Sequence, residues 1–427
     1  MKGRNVRIVA VSLALMLVPV TALLAGGAQE EAVEEDGRKS HLTVTTWETT
    51  RGLDDQRLIA EMFQERNPDV TVDVVSPPGN YVERILTQTA GGNPPDVFQI
   101  GDVDVRRFGG EGRLVDLNSF IEADPDFDVD DFFGGAFEYG NVGGQQLALP
   151  KDYSPLVMFY NRGHFDEAGL DYPDETWHWD DLVEATQTIV DQGLSRYGIT
   201  FGNLLEDRHI EPFIWANNGA FSNDDGTQMT GYLDSPDTIE AMERIASLVF
   251  DRELTPDVSA AEALGGPRQL FYDGNTSVLF WGVWHMEAMD EAGIDFGTAV
   301  LPKMERHASV LFWAGYSMFD AVEDRDTAWS LLKHYVSTDA QEIMGETRMT
   351  PNRHAAERLG QLDDPRMSTA YELADYAEVP FGLKGAAQAN AVPDLNEAFE
   401  RIFLQQADIA ETLRDTARAI EAEHLNQ

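Results

Sequence analysis

Apolar positions near the start of the mature chain alternate between a strand-like and a helix-like pattern. Leu42 and Val44 alternate with threonines in the segment HLTVTTWE, which predicts a half-buried strand. Apolar residues then recur at helical spacing over residues 58–63, until an Asn-Pro pair ends the helix. The run VTVDVV at Val70–Val75 predicts a second strand. A strand, a helix and a strand within so few residues indicate a parallel βαβ unit with a right-handed crossover.

The same alternation continues towards the C-terminus. Short buried strands are predicted at Asp96–Ile100, Pro155–Asn161 and Asp295–Pro302. Helices are predicted at about Trp179–Asp191, at Pro236–Asp251, and repeatedly after Asp326, the last one near Ala407–Leu425. Strands that alternate with helices in this way indicate an α/β fold.

Length and composition limit the possible architectures. A chain of 427 residues is too long for one ordinary domain, so we expect two lobes. The hydrophobic fraction of 43% is ample for a globular core. The absence of cysteine excludes disulfides, thiolate metal sites and a cysteine nucleophile, but it leaves the redox compartment undecided.

The N-terminus has the pattern of a secretory signal peptide over residues 1–28. Three basic residues precede the apolar run Ile8–Leu24, and the small residues AGGA follow it, with cleavage expected after Ala28. A retained membrane anchor is the alternative. LLAG resembles the start of a lipoprotein box, but Gly27 stands where that box needs cysteine, so we expect no lipid anchor. Residues 29–40 form a charged leader, expected to be a flexible tether.

The chain is strongly acidic. Its formal net charge is −44, and removal of three basic residues with the signal peptide gives −44 − 3 = −47. Such a charge disfavours nucleic acid and anionic membrane surfaces as partners. Only six of the 31 basic residues are lysine, which fits either a protein adapted to a saline habitat or simply an acidic secreted protein.

An ordered series of motifs resembles one protein family. TQTAGGNPPDVFQIGD at Thr87–Asp102, EGRLVDLNSFIE at Glu111–Glu122, and the segments Phe159–Leu182 and Phe271–Trp284 are similar to motifs of extracellular solute-binding proteins of bacterial ABC importers. The late segments AWSLLKHYVSTDAQ and TPNRHAA fit the same pattern. The resemblance runs from about Leu42 to the C-terminus and is closest to the sugar-binding subgroup, the relatives of maltose-binding protein.

This resemblance implies a two-lobed, periplasmic-binding-protein-like α/β fold of type II. The N-terminal lobe would comprise residues 41–150 and about 305–350, and the C-terminal lobe residues 151–304 and about 351–427. The chain would cross between the lobes near Lys151–Pro155 and again near Leu301–Ser309. Ligand would bind in the cleft between the lobes and bring about closure around hinge strands.

Aromatic and polar residues at strand ends are candidates for that cleft. A sugar needs aromatic platforms for its C–H faces and carboxylates, amides or arginine for its hydroxyls. Trp284 fits the family's Gly-x-Trp stretch, whereas Trp177, Trp179 and Trp329 are expected to be core residues. For each candidate, packing in the core or a solvated loop is the alternative reading. The predicted ligand-binding residues are Trp47, Glu48, Asp102, Asp152, Tyr153, Trp215, Trp281, Trp284, Trp313 and Tyr316.

The function predicted from these features is that of a non-enzymatic substrate-binding subunit of an ABC importer. Its partners would be a mono- or oligosaccharide and the membrane permease, and we expect a monomer with no cofactor and no metal, located in the periplasm or outside the cell. A polyol, a sugar phosphate or a compatible solute is the alternative ligand. A secreted glycosidase would need two facing carboxylates, for which Glu48 with Asp102 or Asp152 is the best pair. A further alternative is a receptor that does not serve transport but hands its ligand to a membrane sensor, and it would use the same cleft.

Overall fold

The computed structural model describes residues 40–374 and 376–425. The predicted signal peptide and almost all of the acidic leader lie outside these residues. The strands within them are β1 (Ser40–Thr45), β2 (Val70–Val75), β3 (Val97–Gly101), β4 (Asn141–Val142), β5 (Gln145–Gln146), β6 (Leu149–Asn161), β7 (Tyr197–Phe201), β8 (Thr276–Gly282), β9 (Phe296–Ala299), β10 (Ser309–Ser317) and β11 (Ala377–Glu378).

The helices of the described residues surround these strands. They are α1 (Thr50–Arg66), α2 (Tyr81–Ala90), α3 (Asp102–Gly110), α4 (Asn118–Ala123), α5 (Gly134–Glu138), α6 (Arg162–Ala168), α7 (Trp179–Asp191), α8 (Asp207–Ala216), α9 (Pro236–Phe250), α10 (Val258–Ala263), α11 (Pro267–Tyr272), α12 (Met286–Glu291), α13 (Arg325–Tyr335), α14 (Thr338–Gly345), α15 (Arg353–Arg358), α16 (Pro365–Ala374), α17 (Ala386–Gln405) and α18 (Ile409–Ile420).

Nine strands form one mixed sheet in the order β2-β1-β3-β10-β6-β8-β7, with β11 paired to β10 and β9 paired to β6. Strand β1 pairs in parallel with both β2 and β3, which confirms the predicted βαβ unit. At the other end of the sheet, β7 and β8 are also parallel. The sheet therefore has two parallel ends joined by antiparallel strands, and β4 with β5 forms a separate hairpin.

Strands β6 and β10 run through both halves of the sheet. The first part of β6 pairs with β10, and from Leu156 onward β6 pairs with β8 and β9 instead. Strand β10 pairs with β6 from Leu311 and reaches β3 at Ala314, where the register shifts. The shared segment of β10 thus begins after the predicted crossover at Leu301–Ser309. The lobe boundaries themselves stay a prediction.

Two clusters of buried apolar side chains form the core. One includes Val44, Phe98 and Phe319, and the other includes Phe213 and Phe280. Three residues of α16, namely Met367, Ala370 and Leu373, belong to the first cluster, which also contains Leu279 and Phe296. Several helices begin at a side-chain cap: Ser235, for example, accepts a hydrogen bond from the Thr238 N–H at the start of α9.

Candidate functional site

A cavity of about 430 Å³ lies between the two halves of the sheet. It collects residues from the end of β1, the middle of β6, the turn after β8, the middle of β10 and the loop after α14. Its lining residues are Trp47, Glu48, Gln99, Asp152, Tyr153, Ser154, Val283, Trp284, His285, Phe312, Trp313, Ala314, Arg348 and Met349. Six of the ten predicted ligand-binding residues therefore line one cavity.

A second cavity of about 570 Å³ shares Trp284 and Phe312 with the first. Other residues at its wall are Gly202, Asn203, Glu206, Arg208, His209, Glu262, Arg268 and Trp281. A seventh predicted residue, Trp281, thus belongs to the second cavity, and Trp284 stands at the junction of the two.

Trp284 reaches this junction because of the glycine two residues before it. A Cβ atom at Gly282 would lie 1.7 Å from the indole of Trp284, so only glycine leaves room for the ring. The indole itself therefore occupies the space over this glycine. The ring meets Phe312 edge-on at 5.3 Å and stays partly exposed to the cavities.

Two further indoles offer surface to the cleft. Trp47 is 38% exposed and meets the Tyr81 ring edge-on at 5.3 Å. The Tyr81 hydroxyl donates to the carbonyls of Thr45 and Gln99, which fixes the ring that supports Trp47. Trp281 lies 5.4 Å from the His209 ring and 5.8 Å from the Arg268 guanidinium, and its Nε1 has no hydrogen-bond partner within the described residues.

Glu48, Lys151, Asp152 and Arg348 form a charged network at the wall of the first cavity. Arg348 makes two hydrogen bonds to the Glu48 carboxylate, of 2.8 and 2.7 Å, and a third of 3.1 Å to Asp152. The Lys151 ammonium lies 3.1 Å from Glu48 and 2.5 Å from Asp152, and its side chain is fully buried. Burial would raise the pKa of Glu48, but Lys151 and Arg348 outweigh it and hold that pKa well below its usual range.

Two histidines of the cleft are held neutral. Burial, reinforced by Arg208, lowers the pKa of His209 to about 3. Burial, reinforced by Arg268 and Arg348, lowers the pKa of His285 to about 4. Neither imidazole therefore carries a charge in the cleft near neutral pH.

Two of the predicted ligand-binding residues, Trp215 and Tyr316, lie in the core. Trp215 is 4% exposed within the second apolar cluster, because α8 turns its side chain away from the cleft. Tyr316 is fully buried in β10 and donates a hydrogen bond of 2.6 Å to Gln56. Neither residue lines either of the two cleft cavities.

The Asp102 carboxylate is paired within the protein. Its two oxygens are already engaged, one by the N–H of Val103 at 2.8 Å and the other by Arg208 at 2.6 Å. Asp102 begins α3 and Arg208 belongs to α8, so this pair joins the two halves of the molecule. The carboxylate is 2% exposed and lines neither cavity.

Trp313 and Tyr153 line the first cavity but expose little of their side chains to it. Trp313 is 4% exposed and donates its indole N–H to the Ala136 carbonyl at 2.7 Å. Tyr153 is equally buried, with its ring 6.3 Å from Tyr371. Both residues line the first cavity, but packing fixes their rings.

Sequence reasoning missed Arg348, Phe312 and the two histidines. Arg348 lies 300 positions after Glu48 in the chain, so no local pattern connects them. Phe312 directly precedes the predicted Trp313 on β10, and its contact with Trp284 depends on how β10 crosses the sheet.

The shape of the molecule and the position of the site define a class of protein. A sheet with two halves joined by shared strands, and an aromatic cleft at their junction, is the arrangement of two-lobed solute-binding proteins. An ABC substrate-binding protein of Listeria monocytogenes, solved in complex with cycloalternan, matches with a TM-score of 0.81 over 90% of this chain and 98% of its own, at 22% identity. The fold is therefore the two-lobed, periplasmic-binding-protein-like α/β fold.

The family follows from the sequence comparison. The family model described as bacterial extracellular solute-binding protein matches residues 46–342. The chain belongs to this family. Among the residues that the structure describes, no helix combines the length and the apolar character that crossing a membrane requires.

Three curated relatives show how varied the ligands of similar proteins are. An erythritol/L-threitol-binding protein of Mycolicibacterium smegmatis is 29% identical over 43% of this chain and 42% of its own. A maltotriose-binding protein of Pyrococcus abyssi is 24% identical over 65% and 58%, respectively. An sn-glycerol-3-phosphate-binding periplasmic protein of Brucella abortus is 26% identical over 61% and 62%. The chain thus spans about two fifths to three fifths of the length of these relatives.

Proposed function

We propose that the protein is the substrate-binding subunit of an ABC importer and binds a mono- or oligosaccharide in the cleft. The observation that carries this proposal is the position of Trp284, partly exposed between two cavities, the first of which is also lined by Asp152 and Arg348. An indole suits the C–H face of a sugar, and carboxylate and guanidinium suit its hydroxyls. The maltotriose-binding relative supports the same ligand class.

The size of the cleft favours more than one sugar ring. The two cavities measure about 430 and 570 Å³, which is the range of pockets that hold drug-sized ligands. A ligand that occupies both would lie across Trp284 and Phe312. A smaller polyol is the alternative that the erythritol/L-threitol-binding relative favours.

A glycosidase is the function that the carboxylates argue against. Such an enzyme needs one carboxylic acid that is protonated near neutral pH. The low pKa of Glu48 keeps it ionised, and Glu48 shares both Lys151 and Arg348 with Asp152. The other nominated partner, Asp102, is held by Arg208. The solute-binding family fits the same conclusion.

Closure of two lobes would couple binding to transport. We place the hinge where β6 and β10 pair, at Asp152–Pro155 and Leu311–Ala314. A ligand held by Trp284 from one half and by Glu48 or Asp152 from the other would favour the closed form, which would dock on the permease. Secretion by the N-terminal signal, a periplasmic or extracellular location and a monomeric state complete the proposal.

Thermal melting with a panel of sugars and polyols tests this function. A compound that binds only the folded protein, and whose concentration is a hundred times its Kd, adds about 2.7 kcal/mol to the free energy of unfolding. We expect at least one uncharged saccharide or polyol to raise the melting temperature, and NMR of the mixture to show that compound unchanged after incubation. Consumption of the compound would contradict the proposal in favour of an enzyme, and a flat panel would contradict the ligand class.

A further inference from the structure

The charges at the wall of the first cavity cancel. Glu48 and Asp152 carry two negative charges, and Lys151 and Arg348 carry two positive ones, all linked by contacts of 2.5–3.1 Å. The second cavity is lined by Arg208 and Arg268 and by Glu206 and Glu262, and Arg208 is already paired with Asp102. The network at the first cavity therefore offers polar groups without a net charge.

We propose that the network of Glu48, Lys151, Asp152 and Arg348 is a specificity filter, which admits uncharged polyhydroxyl ligands and rejects phosphorylated ones. This inference rests on the proposed function, since it concerns which solute the same cleft takes. It selects between the ligand classes of the relatives, an oligosaccharide or polyol on one side and a glycerol phosphate on the other.

The two cations of this network are already paired with carboxylates. A phosphate needs arginine or lysine donors whose charge is not neutralised by protein carboxylates. Arg348 donates hydrogen bonds from Nη1 and Nη2 to Glu48 and from Nη1 to Asp152, and the Lys151 ammonium lies between the same two carboxylates. A phosphate could recruit them only by displacing a buried carboxylate, which would then lose its partners.

One carboxylate oxygen of the network remains available to a ligand. Both Glu48 oxygens have partners, and Oδ2 of Asp152 accepts from Lys151 and Arg348. Within the described residues, no hydrogen bond reaches Oδ1 of Asp152, whose side chain keeps 23% exposure at the cavity wall. A sugar hydroxyl can donate to this oxygen, whereas a phosphate dianion has only acceptors and is repelled by it.

Hydrogen bonds from neighbouring side chains hold the network rigidly. Gln361 donates hydrogen bonds of 2.6 Å to the carbonyls of Gly345 and Arg348, which fixes the loop that carries the guanidinium. Gln341 donates to the Lys151 carbonyl at 3.1 Å. A Cβ atom at Gly52 would lie 2.5 Å from the Glu48 carboxylate, so the start of α1 is shaped around the ion pair. The charges cannot easily rearrange for an anionic ligand.

Two substitutions test the filter by unbalancing it. Asp152→Asn and Glu48→Gln each leave one net positive charge at the cavity. Asp339→Asn makes the same change of total charge on α14, where Asp339 pairs with Arg66 outside the cleft, and serves as the control. Calorimetric titrations with maltotriose, erythritol and sn-glycerol 3-phosphate give the affinities, and melting curves establish that each variant is folded.

We expect the wild type to bind an uncharged probe and to show no saturable binding of sn-glycerol 3-phosphate. Asp152→Asn and Glu48→Gln should bind sn-glycerol 3-phosphate at least tenfold more tightly than the weakest affinity that the wild-type titration can detect. Asp339→Asn should show no such gain. Asp152→Asn should also weaken binding of the uncharged probe at least tenfold. Because Glu48 lies in the loop after β1 and Asp152 lies in β6, Glu48→Gln keeps the test decisive if Asp152→Asn does not fold.

The outcomes separate this inference from the proposed function. Wild-type protein that prefers sn-glycerol 3-phosphate overturns the filter but leaves a solute-binding subunit. Folded variants that gain no affinity for sn-glycerol 3-phosphate also overturn the filter. A gain in the variants, with no uncharged probe bound by the wild type, supports the filter and contradicts the saccharide proposal.

Discussion

At the scale of single residues, the cleft depends on close packing between backbone and aromatic rings. Gly282 lies under the Trp284 indole, and a Cβ atom at Gly315 would lie 2.1 Å from the Trp313 ring. Each glycine lets a neighbouring indole fold back over its own strand. The segment LFWGVWHME at Leu279–Glu287, where β8 ends, thus places Trp281 at the second cavity and Trp284 at the junction of both cavities.

Trp284→Ala should weaken ligand binding strongly while the protein stays folded. Large aromatic side chains at the centre of a binding site typically contribute about 2–4 kcal/mol, which corresponds to roughly 30- to 1000-fold in Kd. Calorimetric titration of the best ligand measures the change. Trp215→Phe is the matched control, because Trp215 is a core residue and its substitution should lower the melting temperature without changing Kd. Equal affinity in Trp284→Ala and wild type would refute a stacking role.

Asp207 is a buried carboxyl group that the proposed binding function does not use. Burial raises its pKa from 3.8 to about 6, against the opposing effect of Arg208. Because the folded pKa exceeds the unfolded one, this group favours folding fully below pH 4, and that contribution is lost as the pH rises through 6.

Asp207→Asn should therefore raise the free energy of unfolding at pH 8 by about 1–3 kcal/mol and give no such gain at pH 4. Urea unfolding at the two pH values measures both. The exposed loop residue Asp171 supplies the control, since Asp171→Asn should change stability little at either pH. A gain of the same size at pH 4 and pH 8 would show that ionisation of Asp207 is not the cause.

Residues at strand ends were predictable from the sequence, and their partners were not. Glu48 and Asp152 follow or occupy strands with clear patterns, so their place at the cleft could be expected. Arg348 lies in a loop with no periodic signal, and its contact with Glu48 depends on the packing of segments 300 residues apart. Trp215 looked like Trp284 in sequence, because the pattern does not show which side of a helix faces the cleft.

At the scale of elements, β6 and β10 join the two halves of the sheet, and an ion pair between α3 and α8 connects the two halves across the cleft. The Asp102–Arg208 pair between these helices measures 2.6 Å, and the Arg208 guanidinium also lies 4.9 Å from the Phe312 ring of β10. Arg51 of α1 forms a further, exposed ion pair with Glu287 of α12. The buried pair is the stronger candidate for a contact that stabilises the closed form.

Asp102→Asn and Arg208→Gln should each weaken ligand binding at least tenfold, because the closed form loses a buried contact. The double variant should lose less binding free energy than the two single variants lose together. This non-additivity separates an effect of the ion pair from any direct ligand contact of Arg208. Titration calorimetry and small-angle scattering follow affinity and opening. Asp104→Asn is the control, since its ion pair with Arg107 stays within α3. Affinities within twofold of wild type would contradict the role.

Strong periodicity made most elements predictable. The strand at Val70–Val75 and the helix at Trp179–Asp191 have the predicted bounds, because alternation or an amphipathic face marks each from end to end. Strand β6 extends to Leu149, six residues before its predicted start at Pro155. That first part contains Lys151 and Asp152, whose charge hides a buried strand from any pattern of apolar residues.

At the scale of the whole molecule, charge is the dominant feature. The chain carries 75 acidic residues against 31 basic ones. Self-repulsion on such a surface favours expansion, and salt screens it within about 10 Å at 0.1 M. Ion pairs such as Arg51–Glu287 offset only part of this repulsion.

The melting temperature should rise by more than about 5 °C between 0.05 M and 1 M sodium chloride, as screening relieves the repulsion. Differential scanning calorimetry measures it. Sodium sulfate would also strengthen apolar burial, so sodium chloride is the cleaner choice. Identical melting curves at the two salt concentrations would contradict adaptation to a saline habitat.

We predict that the cleft at Trp284 binds one uncharged saccharide or polyol per chain. Isothermal titration calorimetry of the purified protein with the sugars and polyols of the panel tests it most directly. We predict saturable binding of at least one of them, with one ligand per chain and a negative heat-capacity change from apolar burial at the indoles. Folded protein that releases or absorbs no binding heat with any uncharged compound, but binds an anionic solute, would contradict the account.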